Sequence, residues 1–226
     1  MFFFDPSMIL LVPALLFAMY AQSKVKSTFQ KYSREYAASR MTGSQVARQI
    51  LDANGLDDIP VQVTEGKLSD HYDPKNRILR LSPQVYRESS LAALGVAAHE
   101  AGHAVQHSQS YFPLELRNNL FPVAQIGSNM AFPLFFIGFL FAFDSLMLIG
   151  IWFFLAALLF QLVTLPVEFN ASSRAIQLLQ SGGFVTTAEV PKAKAVLNAA
   201  ALTYVAGVAM AASQLLRLLI LRGARR

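Results

Sequence analysis

The sequence contains no cysteine among its 226 residues, and it contains few charged residues. The lack of cysteine excludes disulfide bonds, thiolate metal ligands and cysteine nucleophiles, and it fits a reducing compartment. Charged side chains make up 15% of the chain, whereas soluble domains usually carry about 25%. Lysine and arginine are absent from the whole stretch 118–173. These shortages indicate that part of the chain lies in lipid.

The formal net charge of +5 accompanies a composition that is 54% hydrophobic. A basic and apolar chain of this kind faces anionic lipid more readily than nucleic acid. No basic helix interleaved with aromatic residues and no nucleic-acid-binding motif is present. The predicted partners are the lipid bilayer and a peptide or membrane-protein substrate, with no nucleic acid, while the sequence leaves the oligomeric state open.

The first apolar run, Phe2 to Ala21, is long enough for one membrane span. It begins without the positive charges of a cleaved signal peptide, so we interpret it as a retained anchor. Lys24, Lys26, Lys31 and Arg34 follow it closely. By the positive-inside rule, these charges place the next segment in the cytosol.

A second apolar region is about twice the length of one span, and Asp144 interrupts it near the middle. It predicts two antiparallel spans, Val123–Phe143 and Leu146–Leu165, joined by a very short turn. The last apolar helix, in 196–226, has all its arginines within its final ten residues. A full span would place them outside, against the positive-inside trend, whereas a re-entrant helix would not; the sequence leaves both open.

The segment between the anchor and the hairpin is polar enough to be soluble. A helix with Thr42 or Ser44 as its N-cap carries an apolar stripe of Val46, Ile50 and Leu51. Two alternating stretches, IPVQVTEG and NRILRLS, predict strands joined by a long loop. A further helix begins at Ser89 or Ser90 and carries the sequence HEAGHAVQH.

This last helix carries histidines at four-residue spacing. His99 and His103 lie on one helix face, about 6 Å apart, so their imidazoles can share one ion. Glu100 follows the first histidine directly and lies beside the ion, where a carboxylate can accept a proton from metal-bound water. His107 lies about 12 Å along the axis from His99, so we interpret it as an outer or surface group. The alternative is three histidines on a solvated helix face.

A catalytic zinc usually takes a third protein ligand and keeps one position for water. Without cysteine, the later candidates are Glu115, Asp144, Glu168 and Glu189. Glu115 follows a predicted helix break, Asp144 belongs to the far membrane face, and Glu189 occupies an exposed-looking loop. Glu168 directly follows a span among apolar neighbours, where a charge calls for a partner. Glu168 is therefore the predicted third ligand, and a snorkelling or capping carboxylate is its alternative.

Four stretches together, AAHEAGHAVQH, LSDHYDP, LRLS and PVEFNAS, resemble the YugP-type neutral zinc metallopeptidases, which are integral membrane proteins. The resemblance runs from about Asp5 to Leu218. More distantly, the chain is similar to the HtpX-type membrane proteases, in which the Glu of a Glu-x-x-x-Asp motif is the third zinc ligand. That Glu corresponds to Glu168. The Asp position is Ser172 here, so the histidine partner that Asp would supply is expected from elsewhere, for example Asn170.

Together these features predict a membrane-bound zinc metalloendopeptidase with one Zn²⁺ per chain. A zinc-activated water would attack the peptide bond, with Glu100 as general base. The candidates for a donor to the oxyanion are His71, Tyr72 and Arg174. RILRLS is predicted to be an edge strand that pairs with the substrate backbone, which makes Leu79, Arg80 and Leu81 candidate substrate-binding residues.

Two alternatives accompany this hypothesis. The first is a zinc-binding membrane scaffold or adaptor without proteolytic activity, and the second is an intramembrane zinc protease.

The predicted fold is a mainly α membrane protein (α+β) with three to four membrane helices and a small zincin-like region that combines the HExxH helix with a short β-sheet. The predicted location is the bacterial plasma membrane, with the site facing the cytosol. The predicted segments are the anchor 1–21, the zincin-like region 22–120, the hairpin 121–166, a juxtamembrane helix with the third ligand 167–195, and the C-terminal helix 196–226.

Overall fold

Helices make up most of the chain in the computed structural model, which describes residues 6–66 and 68–225. A 3₁₀ segment, Pro6–Leu11, leads into the first helix. The α-helices are α1 Val12–Tyr32, α2 Gly43–Ala53, α3 Pro83–Arg87, α4 Leu91–Ser108, α5 Phe112–Leu140, α6 Asp144–Ser181 and α7 Val190–Gly223. The strands are β1 Val61–Val63, β2 His71–Asp73 and β3 Ile78–Leu81. The prediction of a mainly α fold with a small sheet is confirmed.

Four of these helical segments are long and apolar enough to cross a membrane: Pro6–Tyr32, α5, α6 and α7. Large apolar side chains such as Ile126, Phe136 and Trp152 lie exposed on them. Outward-facing apolar side chains are what a lipid environment accommodates and water does not. The C-terminal helix has the length of a full span.

The chain divides into two units, and the first consists of Met1–Gln22, Phe112–Pro166 and Leu202–Arg226. Small residues allow close helix packing within it: a Cβ on Gly150 would stand 2.7 Å from the carbonyl oxygen of Ala131. Arg222 near the end of α7 makes a bidentate ion pair with Asp144 at the start of α6, with distances of 2.7 and 2.8 Å.

The second unit consists of Ser23–Tyr111 and Val167–Ala201. Its helix α2 begins with a capping box: the Thr42 hydroxyl accepts the backbone N–H of Gln45, and the Gln45 side-chain oxygen accepts the backbone N–H of Thr42. The predicted stripe of Val46, Ile50 and Leu51 is buried. Ser90 caps α4, and most of α4 is buried in the core of this unit.

The sheet has the order β1-β3-β2, with β1 parallel and β2 antiparallel to β3. Strand β2 lies in the segment predicted to be a loop. It forms because Asp73 Oδ1 accepts the backbone N–H groups of Lys75 and Asn76, which closes the turn into β3. The prediction of an edge strand at Leu79–Leu81 is therefore wrong: β3 is the central strand, paired on both sides.

Helix α6 is continuous over 38 residues and contains Pro166. The sequence indicated a span followed by a separate juxtamembrane helix, whereas one helix carries both. Proline removes a single backbone donor, and the turns on either side retain theirs. Glu168 belongs to the part of α6 that lies in the second unit.

Candidate metal centre

Helix α4 and the part of α6 that begins at Val167, both in the second unit, carry the predicted ligands. They approach closely because Gly102 on α4 has no side chain: a Cβ there would stand 3.0 Å from the carbonyl oxygen of Ala171 on α6. Gly102 lies directly before His103, and Ala171 lies three residues after Glu168. The glycine therefore allows the α6 carboxylate to reach the histidine pair.

The three predicted ligands meet at one point. Oε2 of Glu168 lies 3.3 Å from Nε2 of His99 and 3.6 Å from Nε2 of His103, and the three ligand atoms lie within 4.8 Å of one another. Ligands at about 2.0–2.1 Å from a tetrahedral zinc stand about 3.3 Å apart. The observed separations therefore match a shared ion.

The Glu168 carboxylate is buried among these groups. The residue is 2% exposed, and within the described residues its Oε2 has no hydrogen-bond partner. An unpaired buried carboxylate is among the costliest groups in a protein interior. The buried oxygen and the two facing imidazole nitrogens therefore fit a divalent cation, and the nitrogen and oxygen donors fit zinc.

Each histidine is held through its other ring nitrogen. Nδ1 of His99 lies 3.2 Å from Oγ of Ser172, and Nδ1 of His103 lies 2.9 Å from Oε1 of Gln106. When Nδ1 donates to these oxygens, the lone pair of Nε2 is free for a metal. The partner of His99 is thus Ser172 itself, the residue at the Asp position of the wider pattern, and the expectation that it comes from elsewhere is wrong.

The protonation of His103 responds to the same contacts. Burial by itself lowers the pKa of His103, but the Glu168 and Glu100 carboxylates outweigh it and raise the pKa above its ordinary value. The two carboxylates therefore favour the protonated form of the His103 imidazole.

Glu100 lies on α4 beside this group and is held by strand β2. Its Oε2 accepts the backbone N–H of Tyr72 at 3.1 Å. This single bond fixes one carboxylate oxygen and leaves the other for a water molecule. A carboxylate so held, next to three potential metal ligands, has the placement of a general base.

Comparison with known proteins agrees with this arrangement. The family described as "Putative neutral zinc metallopeptidase" matches residues 7–223. The chain belongs to the neutral zinc metallopeptidase family. It is also 50% identical over 212 residues to a Bacillus subtilis (strain 168) protein named "Putative membrane protease YugP", with 94% of each chain covered. No solved structure matches the chain.

His107 does not join the ligand group of this neutral zinc metallopeptidase family member. Its Nδ1 lies 2.9 Å from the hydroxyl of Tyr72, and the candidate metal group within 6–66 and 68–225 comprises His99, His103 and Glu168. Tyr72 therefore contacts α4 twice, through its backbone at Glu100 and through its hydroxyl at His107.

The other two predicted oxyanion donors have different partners. His71 is exposed, with Nδ1 at 2.7 Å from the carbonyl oxygen of Ser69 and Nε2 at 3.4 Å from Nη1 of Arg80. Successive side chains of a strand point to opposite faces, so His71 faces away from the side on which Tyr72 meets α4. Both ring nitrogens of His71 therefore have partners outside the candidate metal group.

Arg174 also lies away from the ligand atoms. Its Nε donates to Oδ1 of Asn170 at 2.7 Å, its Nη1 donates to Oε1 of Gln109 at 2.6 Å, and its guanidinium stacks near the ring of Tyr111. These contacts connect Arg174 to Asn170 on its own helix and to the C-terminal end of α4.

Sequence reasoning missed Gln106 altogether, and it named Ser172 without assigning it as a histidine partner. Gln106 follows His103 by three residues, so it lies on the same helix face, and that spacing is the signal that points to it. The partner role of Ser172 follows from its position four residues after Glu168. Neither signal identifies the partner histidine without the packing of α4 on α6.

Proposed function

We propose that this chain is a membrane-bound zinc endopeptidase that acts on peptides or membrane proteins. The observation that carries the proposal is the buried Oε2 of Glu168, which faces Nε2 of both His99 and His103 and has no hydrogen-bond partner among the described residues. Glu100 is the neighbour of His99 and supplies the base. Family membership supports the same chemistry.

The ligand residues in this proposal are His99, His103 and Glu168, with one ion per chain. A divalent cation there would supply Lewis acidity to a water molecule and to the scissile carbonyl. The chain itself contributes the three ligand side chains. Ser172 and Gln106 hold the two imidazoles in orientation, and burial shields the Glu168 carboxylate from water.

Glu100 transfers the protons of the reaction. Its carboxylate removes a proton from water as the water oxygen bonds to the carbonyl carbon, and it returns that proton to the amine nitrogen as the C–N bond breaks. The backbone N–H of Tyr72 holds one of its oxygens in place during both transfers. This exchange consumes one water and releases a carboxylic acid and an amine; the acid proton then passes to the amine or to solvent.

The scaffold alternative requires a closed structural site. Structural zinc sites have four protein ligands, whereas the candidate group in the described part of the chain has three. The intramembrane alternative requires the HExxH helix to be a span, and α4 is not among the four helices with that length and apolarity. Both observations favour an open site on a membrane-anchored unit.

We infer that the second unit faces the cytosol of a bacterial cell and that the chain resides in the plasma membrane. Lys24, Lys26 and Lys31 lie in the C-terminal part of the first candidate span, Pro6–Tyr32, and support this orientation. The cysteine-free chain permits a direct test with single cysteines at Glu65 or Phe141, both exposed. On intact cells, a membrane-impermeant maleimide should label the cysteine at 141 and spare the one at 65; the reverse pattern contradicts the inference.

The activity is tested with detergent-purified wild type and Glu100→Gln. Both should bind zinc, and the wild type should cleave casein or an unbiased peptide mixture about 10²–10⁴ times faster than the variant. Glu65→Gln, an exposed change, is the matched control and should cleave at the wild-type rate. Equal rates for Glu100→Gln and wild type rule out the base, and zinc binding without any cleavage favours the scaffold.

A further inference from the structure

Gln106 is fully buried, and each of its polar atoms has a partner. Its Oε1 lies 2.9 Å from Nδ1 of His103. Its Nε2 lies 2.9 Å from the carbonyl oxygen of Val167 and 2.9 Å from Oδ1 of Asn170. A buried amide is stable only when such bonds are complete. Gln106 therefore links the histidine of α4 to the turn of α6 that carries Glu168.

The direction of every bond in this link is fixed. The carbonyl of Val167 can only accept, so the nitrogen of the Gln106 amide must face it. Arg174 Nε can only donate, so the atom of Asn170 that it meets at 2.7 Å must be the oxygen. The oxygen of Gln106 is then the atom that faces His103, and Nδ1 of His103 must carry the hydrogen.

We propose that Gln106 is a positioning residue that sets the tautomer of His103 in advance of metal binding, with Asn170 and Arg174 fixing its direction. With the hydrogen held on Nδ1, Nε2 is the nitrogen that faces Glu168 and is available to an ion. The inference rests on the proposed metal site for its purpose, but the tautomer is a property of the metal-free chain.

Glutamine suits this position because it offers an acceptor on one side and donors on the other. Methionine has a similar length and neither group. Glutamate retains the acceptor for His103 but presents a second oxygen to the Val167 carbonyl. His99 differs, because its partner Ser172 is a hydroxyl that can donate or accept.

The test uses ¹⁵N-histidine-labelled, metal-free protein in lipid bilayers at pH 9, studied by solid-state NMR. The chain has four histidines, so single His→Gln variants assign the signals. Wild type and Gln106→Glu should show His103 with the hydrogen on Nδ1, and Gln106→Met should show a mixture or the Nε2–H form. A wild-type His103 with the hydrogen on Nε2 overturns the proposal, even if Gln106→Met does not fold.

Zinc affinity, measured by competition with a chromophoric chelator, gives the second readout. Gln106→Met should bind zinc about 10–100-fold more weakly than wild type. Ser82→Ala is the matched control, because Ser82 is also buried and hydrogen-bonded, to Asp70; it should leave the zinc affinity unchanged. A zinc affinity of Gln106→Met within twofold of wild type overturns the proposal. A wild type that binds no zinc but shows the Nδ1–H form refutes the proposed function and not the positioning.

Discussion

Replacement of Glu168 by glutamine should stabilise the metal-free protein and abolish its stabilisation by zinc. In the metal-free chain, the carboxylate oxygen lies 3.3 Å from Nε2 of His99 and 3.6 Å from Nε2 of His103, and wherever these nitrogens carry no hydrogen it faces them without a donor. A glutamine amide can direct one N–H to each nitrogen. Two such bonds contribute about 1–3 kcal/mol to the free energy of unfolding.

For a chain of this size, about 2 kcal/mol corresponds to a rise in Tm of roughly 4–8 °C. Zinc at about 1,000 times its Kd should stabilise the wild type by about 4 kcal/mol and leave the variant unchanged. The order of the two Tm values should therefore invert when zinc is added.

The assay is thermal unfolding in detergent followed by circular dichroism, with and without a chelator. Glu115→Gln, at an exposed position on α5, is the control and should change neither Tm nor the response to zinc. A metal-free Glu168→Gln protein that melts below wild type, or that gains the full zinc-induced shift, refutes the reasoning.

Three further predictions concern the surroundings of the site. Ser172→Ala should weaken zinc binding about 10–100-fold because His99 loses its Nδ1 partner, and Ser172→Asp should restore or exceed the wild-type affinity; equal affinities in chelator competition for all three proteins contradict this. The raised pKa of His103 means that zinc must displace a proton, so the affinity should fall about tenfold per pH unit below that pKa; an affinity independent of pH between 8 and 5.5 contradicts it. Gly102→Ala should lower the Tm, because its Cβ would press on the backbone of α6 and reduce the free energy of unfolding by about 1–3 kcal/mol. Gly95→Ala should not, because its Cβ would lie 3.7 Å from the nearest atom, an ordinary contact distance. The opposite order of the two Tm values would exclude the proposed close packing.

The sequence predicts the helices well because their signals are local. The cap at Thr42 and the start of α4 at Ser90 follow from side chains that bond to backbone groups a few residues away. Strand β2 has three residues and little apolar character, so no alternation of apolar and polar residues indicates it in the sequence. The central place of β3 depends on that missing strand, which is why the edge-strand prediction fails.

The residues of the site likewise fall into those that local spacing predicts and those that depend on tertiary packing. The spacing of His99, Glu100 and His103 on one helix predicts their shared face without knowledge of the fold. Glu168 follows from the scarcity of acids and its place after a span. The partners Ser172 and Gln106 depend on how α4 meets α6, which Gly102 permits and which no local pattern specifies.

The most direct measurement of the central claim is the metal content of detergent-purified protein, wild type against Glu168→Ala, by mass spectrometry after dialysis. The account predicts one zinc per wild-type chain and a metal-free variant that remains folded. A wild type without bound metal, or a Glu168→Ala protein that retains one zinc per chain, would contradict it.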